Sequence, residues 1–429
     1  MAELSASNDL VTADGRSLKA ALAQAEARAK RRAFLLVAPL LAFVLLTFVV
    51  PIGQMLVRSV HNDAFYSWTD RDTGEVIPTM VNLRAWFAQT KAGTEPDEAA
   101  YEALVKDLVQ ARELKSIGQS ATRINYEKPG SRSLFTKSAR RAPRLEAPFK
   151  EALLDVDEDW GDPGLWRAMR DASKTVTLNF YLSALDFERA DDGSIVSVNE
   201  NRAVYVLLFK RTLLLSLLIT GLTLILGFPI AFLLATLPMR ISNLLMIMVL
   251  LPFWTSLLVR TTSWIVLLQS QGVVNDLAVG AGLLADDGRV QLIYNQFGTI
   301  IAMTHILLPF TILPLYSVMR PIDPSYVRAA RSLGATSWTA FRRIYLPQTV
   351  PGIGAGALLV FILAVGYYIT PALVGGSDGQ LISNLIAFHM QKSLNWSLAA
   401  ALAALLLGGI LILYWLYDRI VGIDNLKLG

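Results

Sequence analysis

Between Asp323 and Pro347 the sequence sets arginines and aromatics at spacings suited to gripping another protein. Asp323-Pro324 reads as a helix N-cap followed by proline at the first helical position, where a missing N–H costs nothing. A helix is expected from Pro324 to about Leu333. Gly334 suits the left-handed residue that ends a helix, and Thr336 can cap a second one through Tyr345 before Leu346-Pro347 stops it. The product is a helix–turn–helix hairpin. Its charged groups are Arg328, Arg331, Arg342 and Arg343, and its apolar ones Tyr326, Leu333, Trp338, Phe341 and Ile344. Ala329, Ala330 and Ala335 keep it slim enough to enter a groove, while the arginine and aromatic side chains can anchor its surface.

Other chemistry is largely excluded. The chain has no cysteine, and its three histidines, His61, His305 and His389, lie too far apart in sequence for a local metal-binding motif. No Gly-x-x-x-x-Gly-Lys-Ser/Thr phosphate loop occurs, so ATP is not expected to be hydrolysed here by that route. Ionisable groups within apolar runs are expensive and therefore informative; Arg260 and His305 are two, and no Asp or Glu accompanies them. Arg260 can serve as a gate, a partner contact or a structural pair, and His305 as a pathway residue or a packing one. Trp254, Trp264, Tyr367 and Tyr368 supply aromatic surface for a path or for the interfacial belt.

The elements that position these residues are membrane helices. Of 429 residues, 53% are hydrophobic and 17% charged, with mean hydropathy +0.44, which is not the balance of a soluble chain. A bilayer core of about 30 Å needs roughly 20 apolar helical residues. Six such runs are found: 33–57, 212–237, 244–268 with Arg260 inside it, 298–319, 351–374 and 398–417. The first is too long for the apolar region of a signal peptide and lacks a small-residue cleavage site, so it is expected to be retained. Pro229, Pro252, Pro309, Pro314 and Pro371 punctuate the runs as kinks or hinges.

Lysine and arginine counts in short loops orient the chain. Arg16, Lys19, Arg28, Lys30, Arg31, Arg32, Arg240, Arg320, Arg328, Arg331, Arg342, Arg343, Arg419 and Lys427 share one side, against only Arg289 and Lys392 on the other. Both termini and the hairpin are thus expected in the cytoplasm, with Lys210 and Arg211 a local exception. The expected organisation is a cytoplasmic tail 1–32, a first span 33–57, an extracytoplasmic insertion 58–202, and a core 203–429 that carries the hairpin at 320–347. The insertion holds 20 Lys+Arg and 24 Asp+Glu, so the formal charge of +4 divides into −4 there and +8 elsewhere. Basicity therefore reports topology rather than nucleic-acid binding. Within the insertion, Thr94 to Ala111 reads as a capped amphipathic helix and 125–143 as irregular. The insertion either packs on the membrane part or docks an extracytoplasmic partner.

The hairpin resembles the hallmark of the permease subunits of binding-protein-dependent ABC importers: Glu-Ala-Ala, three residues, Gly, nine residues, Ile, one residue, Leu-Pro. Arg328-Ala329-Ala330, Gly334, Ile344 and Leu346-Pro347 match every spacing, with arginine in place of the glutamate. Leu251-Pro252-Phe253-Trp254, Arg260-Thr261, Gly272-Val273-Val274-Asn275, Tyr368 to Gly376 and Asn395-Trp396 look most like the spermidine/putrescine-type branch. The resemblance implies an all-α, MetI-like fold of six transmembrane helices in a bacterial inner membrane. It implies no enzyme activity and no cofactor in this chain, with ATP and magnesium held by a partner ATPase. Implied partners are two ATPase subunits seated on the coupling hairpin, a second permease and an extracytoplasmic solute-binding protein. A polyamine cargo would call for carboxylates that the membrane runs lack. Either a partner recognises the charge or the cargo is another small solute. The alternative, a secondary transporter or channel independent of ATP, would be expected to show intramembrane acids or inverted repeats.

Overall fold

A computed structural model describes residues 18–70, 72–190 and 193–421. Arg16 and Lys427, used above to orient the chain, lie outside them, as do the other residues of 1–17. The chain divides into two compact units, Met1–Val57 and Arg58–Gly429.

The first unit is helical: Leu18–Val44, a π-helical turn Leu45–Val49, and the start of Val50–Arg58. Together Leu22–Arg58 is long and apolar enough to cross a membrane. The wide turn sits just ahead of Pro51, and the Val50 N–H reaches back five residues to Leu45 O. Widening a turn in this way accommodates a ring that would otherwise clash with a carbonyl four residues earlier.

In the second unit, four more helices meet the same test: Tyr205–Thr236, Gln296–Met319, Ser337–Gly366 and Trp396–Arg419. The expected third span is not one rod. Met239–Trp254 and Leu257–Gly280 meet at 97°. Pro252 lies in a tight turn, Leu251–Trp254, that cannot propagate; Thr255 is extended, and the Ser256 hydroxyl restarts helix by accepting the Leu258 N–H at 3.3 Å. Hydropathy is blind to such a break because both arms are apolar.

The fifth span also differs. It ends at Gly366 rather than 374, with Tyr367 extended and Pro371 carried in a separate short helix, Ile369–Val374. It begins earlier as well, because Leu346-Pro347 does not stop the hairpin's second helix. A second π-helical turn, Phe341–Tyr345, precedes Pro347, and Leu346 N–H bonds Phe341 O, the same accommodation as at Pro51. The three central helices approach closely at small residues. A Cβ on Gly356 would lie 3.3 Å from Thr311 O, and one on Gly352 would lie 3.2 Å from Pro314 O.

The insertion builds its own helical core, with Phe65, Leu104, Leu108, Phe135, Trp160 and Met169 buried together. The expected amphipathic helix is present as Glu98–Glu113, capped by Asp97, which accepts the Ala100 N–H at 3.0 Å. The stretch 125–143 is not irregular. Ser131–Arg141 is helical, and although apolar residues are few, Leu134, Phe135, Ala139 and the following Ala142 share one buried stripe while Arg132, Lys137 and Arg140 face outward. The start of the insertion is tied to the residues that leave this core: Asn62 N–H bonds Thr175 O and Thr177 N–H bonds Val60 O, each at 2.9 Å. Buried Asn62 also donates to Ala172 O at 2.9 Å and accepts from Arg123 Nε at 2.7 Å.

Two helices are capped from a distance. Met80 precedes Val81–Gln89 in a left-handed conformation and offers no cap, so Asp107 accepts from Asn82 N at 3.1 Å and Leu83 N at 2.7 Å. Burial pushes the Asp107 carboxyl up while these donors hold it down. Asp186 does the same for Tyr205–Thr236, accepting from Val204, Tyr205 and Val206 N–H. Asp107→Ala strands the buried Leu83 N–H and the part-buried Asn82 N–H and is expected to cost about 2 kcal/mol. The cost should appear as earlier proteolytic cleavage between residues 80 and 115. A variant as resistant as the parent would contradict the assignment.

Candidate functional site

The hairpin's first helix, Pro324–Ser332, starts as its sequence dictates, with Asp323 accepting the Ser325 N–H at 2.7 Å. That N–H, the Ser325 hydroxyl and the nearby Arg328 guanidinium hold the Asp323 carboxyl below the usual carboxylate range. At the other end Gly334 has φ +90°, its N–H bonding Arg331 O at 3.0 Å and the Ala335 N–H bonding Ala330 O at 3.1 Å. This pair of bonds is the Schellman closure of a helix. Gly334 thus has a geometric reason, since its left-handed backbone brings Ala330 and Ala335 into this closure. Thr336 then accepts the Thr339 N–H at 3.2 Å and opens the second helix.

The outer face of this hairpin is bare. Leu333 is 90% exposed and Trp338 68% exposed, and Arg328, Ala329, Arg331, Arg342, Arg343 and Pro347 are exposed around them. Its inner face is packed. Ile344 and Leu346 are half-buried, and Tyr345 is buried with Ala231, Leu234, Ile312, Leu315 and Met319 at the ends of two spanning helices. Three rings connect the two faces: Trp338 stacks on Phe341 at 5.6 Å and Phe341 on Tyr345 at 6.0 Å, while Phe232 meets Tyr345 edge-on at 5.3 Å. Arg320, singled out in the sequence only for its charge, anchors the hairpin's entry. Its Nη1 donates to Ala235 O at 2.7 Å and Leu237 O at 3.3 Å, the free carbonyls where Tyr205–Thr236 ends.

Stacked rings from Trp338 to Tyr345 and one arginine thus join the hairpin to the ends of the membrane helices. Arg320, Tyr345 and Phe232 were not among the site residues expected from sequence. Their partners lie about a hundred residues away, and no local motif marks them.

The candidate pathway residues are only partly gathered. Arg260 and His305 share a cavity of about 270 Å³ with Leu251, Pro252, Ser263 and Trp264. Trp264 Nε1 donates to His305 Nδ1 at 3.3 Å, and Arg260 Nε is buried without a hydrogen-bond partner. Tyr367 lies within electrostatic reach of Arg260 but packs with Leu215, Met303 and Val360. Tyr368 lies outside the cavity lining, its carbonyl accepting from Asn384 Nδ2. Trp254 is 74% exposed at the bend and is also apart. Among the described residues no group of three or more His, Asp or Glu is placed to hold a metal ion.

Residues 208–421 match the family model described as "Binding-protein-dependent transport system inner membrane component". The spermidine/putrescine transport system permease protein PotB of Salmonella typhimurium (strain SL1344) is 33% identical over 254 residues, 57% of this chain and 88% of that one. PotB of Escherichia coli (strain K12) is likewise 33% identical, over 57% of this chain and 92% of its own. The inner membrane ABC transporter permease protein YdcU of the same strain is 32% identical over 44% of this chain and 64% of its own. A solved bacterial ABC transporter involved in import of the acidic polysaccharide alginate is 23% identical over 52% of this chain and 80% of that one, with TM-score 0.43.

Proposed function

The chain belongs to the binding-protein-dependent transport system inner membrane components, the permease subunits of ABC importers, and from that premise we propose that its hairpin 320–347 is the seat of a separate ATPase. Closure of two such ATPases on ATP and magnesium is transmitted through Arg320 and the stacked rings and switches the pathway between its two openings. This chain forms half of that pathway, a second permease the other half. An extracytoplasmic binding protein delivers the solute.

The observation that carries this reading is Leu333, a large apolar side chain 90% exposed at the tip of a hairpin flanked by four exposed arginines. Hydrophobic and arginine anchors at a bare tip are what a protein groove takes up. The charge bias of the short loops supports a cytoplasmic position for the hairpin and both termini, and an extracytoplasmic one for 58–202.

The spermidine/putrescine role carried in the names of the PotB relatives supports a polyamine as cargo. With no carboxylate inside the six apolar runs, recognition of its charge falls to the binding protein or the second permease, and this chain contributes a low-affinity path past Trp264 and Tyr367. Competition of unlabelled spermidine, amino acids and organic anions against uptake into proteoliposomes decides the class. Spermidine should compete in the micromolar range typical of transported substrates, about 1 μM to 1 mM, and competition by an anion alone would overturn the polyamine assignment.

The docking role has its own test. Trp338→Ala and Leu333→Asp are each expected to cost about 2 kcal/mol of ATPase binding, roughly a 30-fold loss. Recovery of the ATPase with solubilised permease at dilute concentration reads the loss directly, and undiminished recovery from the double variant would contradict the proposal.

A further inference from the structure

The insertion does not distribute its exposed apolar side chains evenly. Among the described residues of 58–204, ten large hydrophobic side chains are exposed, and seven of them fall within 176–204. Leu178, Leu185, Phe187, Ile195 and Val204 are five of these. The preceding stretch, about four times longer, exposes only Val76, Val81 and Tyr126, although it holds a full hydrophobic core of its own. Exposed large apolar side chains are thus concentrated in one stretch, where they alternate with exposed polar ones such as Arg189, Glu200 and Arg202, the mixture an interface between water and lipid accepts.

The apolar stretch is also the one set against the membrane helices. Its short helix, Asn179–Ala184, buries Phe180 and Ala184 against Leu398, Ala401 and Leu402, in the first two turns of the spanning helix that opens at Trp396. It then leads through the two-stranded hairpin Phe187–Arg189 and Ile195–Ser197 into Tyr205–Thr236. Cross-strand register puts Phe187 and Ile195 on one face of that hairpin together with Arg189 and Ser197, and Glu188 and Val196 on the other. Tyr205 and Trp396 stand at the starts of the two spanning helices, where interfacial aromatics belong. Lys210 and Arg211, against the charge bias of the short loops, follow within about two turns; Arg211 Nη1 donates to Ser377 O at 3.0 Å, and the long stem of Lys210 can carry its ammonium outward to lipid phosphates.

We infer that residues 176–204 form an interfacial collar seated on the lipid surface, with Leu178, Leu185, Phe187 and Ile195 immersed among the headgroups and upper acyl chains of the leaflet that borders this end of the helices. In the proposed orientation that is the extracytoplasmic leaflet. The collar holds the insertion's folded helices upright over the bundle while leaving their polar surface in water. Position identifies lipid as the occupant, since the stretch packs on Leu398, Ala401 and Leu402 at the start of one spanning helix and leads directly into another, Tyr205–Thr236, whose first turn exposes Leu207.

The absence of cysteine makes the test direct. Single variants Leu178→Cys, Ile195→Cys and Val76→Cys are spin-labelled in the full chain, assembled with its partner subunits, in nanodiscs of phosphatidylethanolamine and phosphatidylglycerol. Collisions with oxygen, which concentrates in lipid, are compared with those of a water-soluble nickel chelate. Labels at 178 and 195 are expected to favour oxygen and the label at 76 the chelate, a reversal in the sign of the depth parameter. Chelate preference at 178 and 195 equal to that at 76 would overturn the collar. Protection from both reagents would also overturn it, because the face would then be covered by a protein subunit.

Discussion

Gly334→Val is expected to abolish most ATP-driven uptake while leaving the chain folded in the membrane. Gly334 has φ +90° and nothing lies within 4 Å of a Cβ built there, so valine meets no steric obstacle from neighbours. The penalty lies wholly in the backbone: a β-branched residue in a left-handed conformation costs about 2 kcal/mol. That is enough to shift the turn about 30-fold toward other conformations. Those conformations lose the Schellman bonds from Gly334 and Ala335 and re-aim Thr336, Trp338 and the ring stack behind it. Uptake into proteoliposomes should fall by an order of magnitude or more while ATP hydrolysis by the partner continues. Gly334→Asn, tolerated at such positions, should recover most of the uptake. Full uptake by the valine variant, or equal failure of the asparagine one, would remove the hairpin turn from the coupling route.

A larger structural loss is expected from Gly376→Ala. Gly376 has φ +55°, and a Cβ there would fall 2.3 Å from Tyr294 O. The obstacle is backbone, held by a Tyr294 N–H bond to Val374 O at 2.8 Å, so no side chain can move aside. Cβ atoms on Gly375 and Gly379 would lie 2.6 and 2.4 Å from Thr299 Oγ1, which makes this loop a close-packed knot around the start of Gln296–Met319. Opening it to admit one methyl is expected to cost more than about 4 kcal/mol. The variant should show a sharp drop in monodisperse protein after solubilisation. A normal yield with an unchanged melting temperature would mean the loop is looser than its geometry. Gly375 and Gly376 belong to a sequence stretch that points to the polyamine-type branch, and the packing explains their presence without any contact to cargo.

The hairpin was legible because its signals are local. Asp323-Pro324, Gly334 and Thr336 act through neighbours one to five residues away, so residue type and spacing suffice to place caps and turn. The spans were legible from hydropathy, within limits. The right-angle break at Leu251–Trp254 and the early end at Gly366 leave the apolar run uninterrupted, and only the proline and the extended residue beyond it mark them. Pro347 misleads for the opposite reason, since a stop signal is overridden by a π-helical turn that makes room for the proline ring, as at Pro51. Ser131–Arg141 was hidden by its arginines, because a narrow buried stripe suffices when a larger core lies beneath. Asp107, Asp186 and Arg320 were not legible at all. Each serves a helix end 18 or more residues distant, and only the fold brings donor and acceptor together.

Coupling through the hairpin tip is decided most directly by cross-linking from Leu333. In the otherwise cysteine-free chain, Leu333→Cys is modified with a maleimide-benzophenone and photolysed in the assembled importer, with Val76→Cys as a control in the insertion. The expected product is a covalent adduct of this chain with the ATPase subunit, formed from position 333, altered in yield by ATP and absent from position 76. An ATPase that co-purifies but forms no adduct from 333 would contradict the proposed seat.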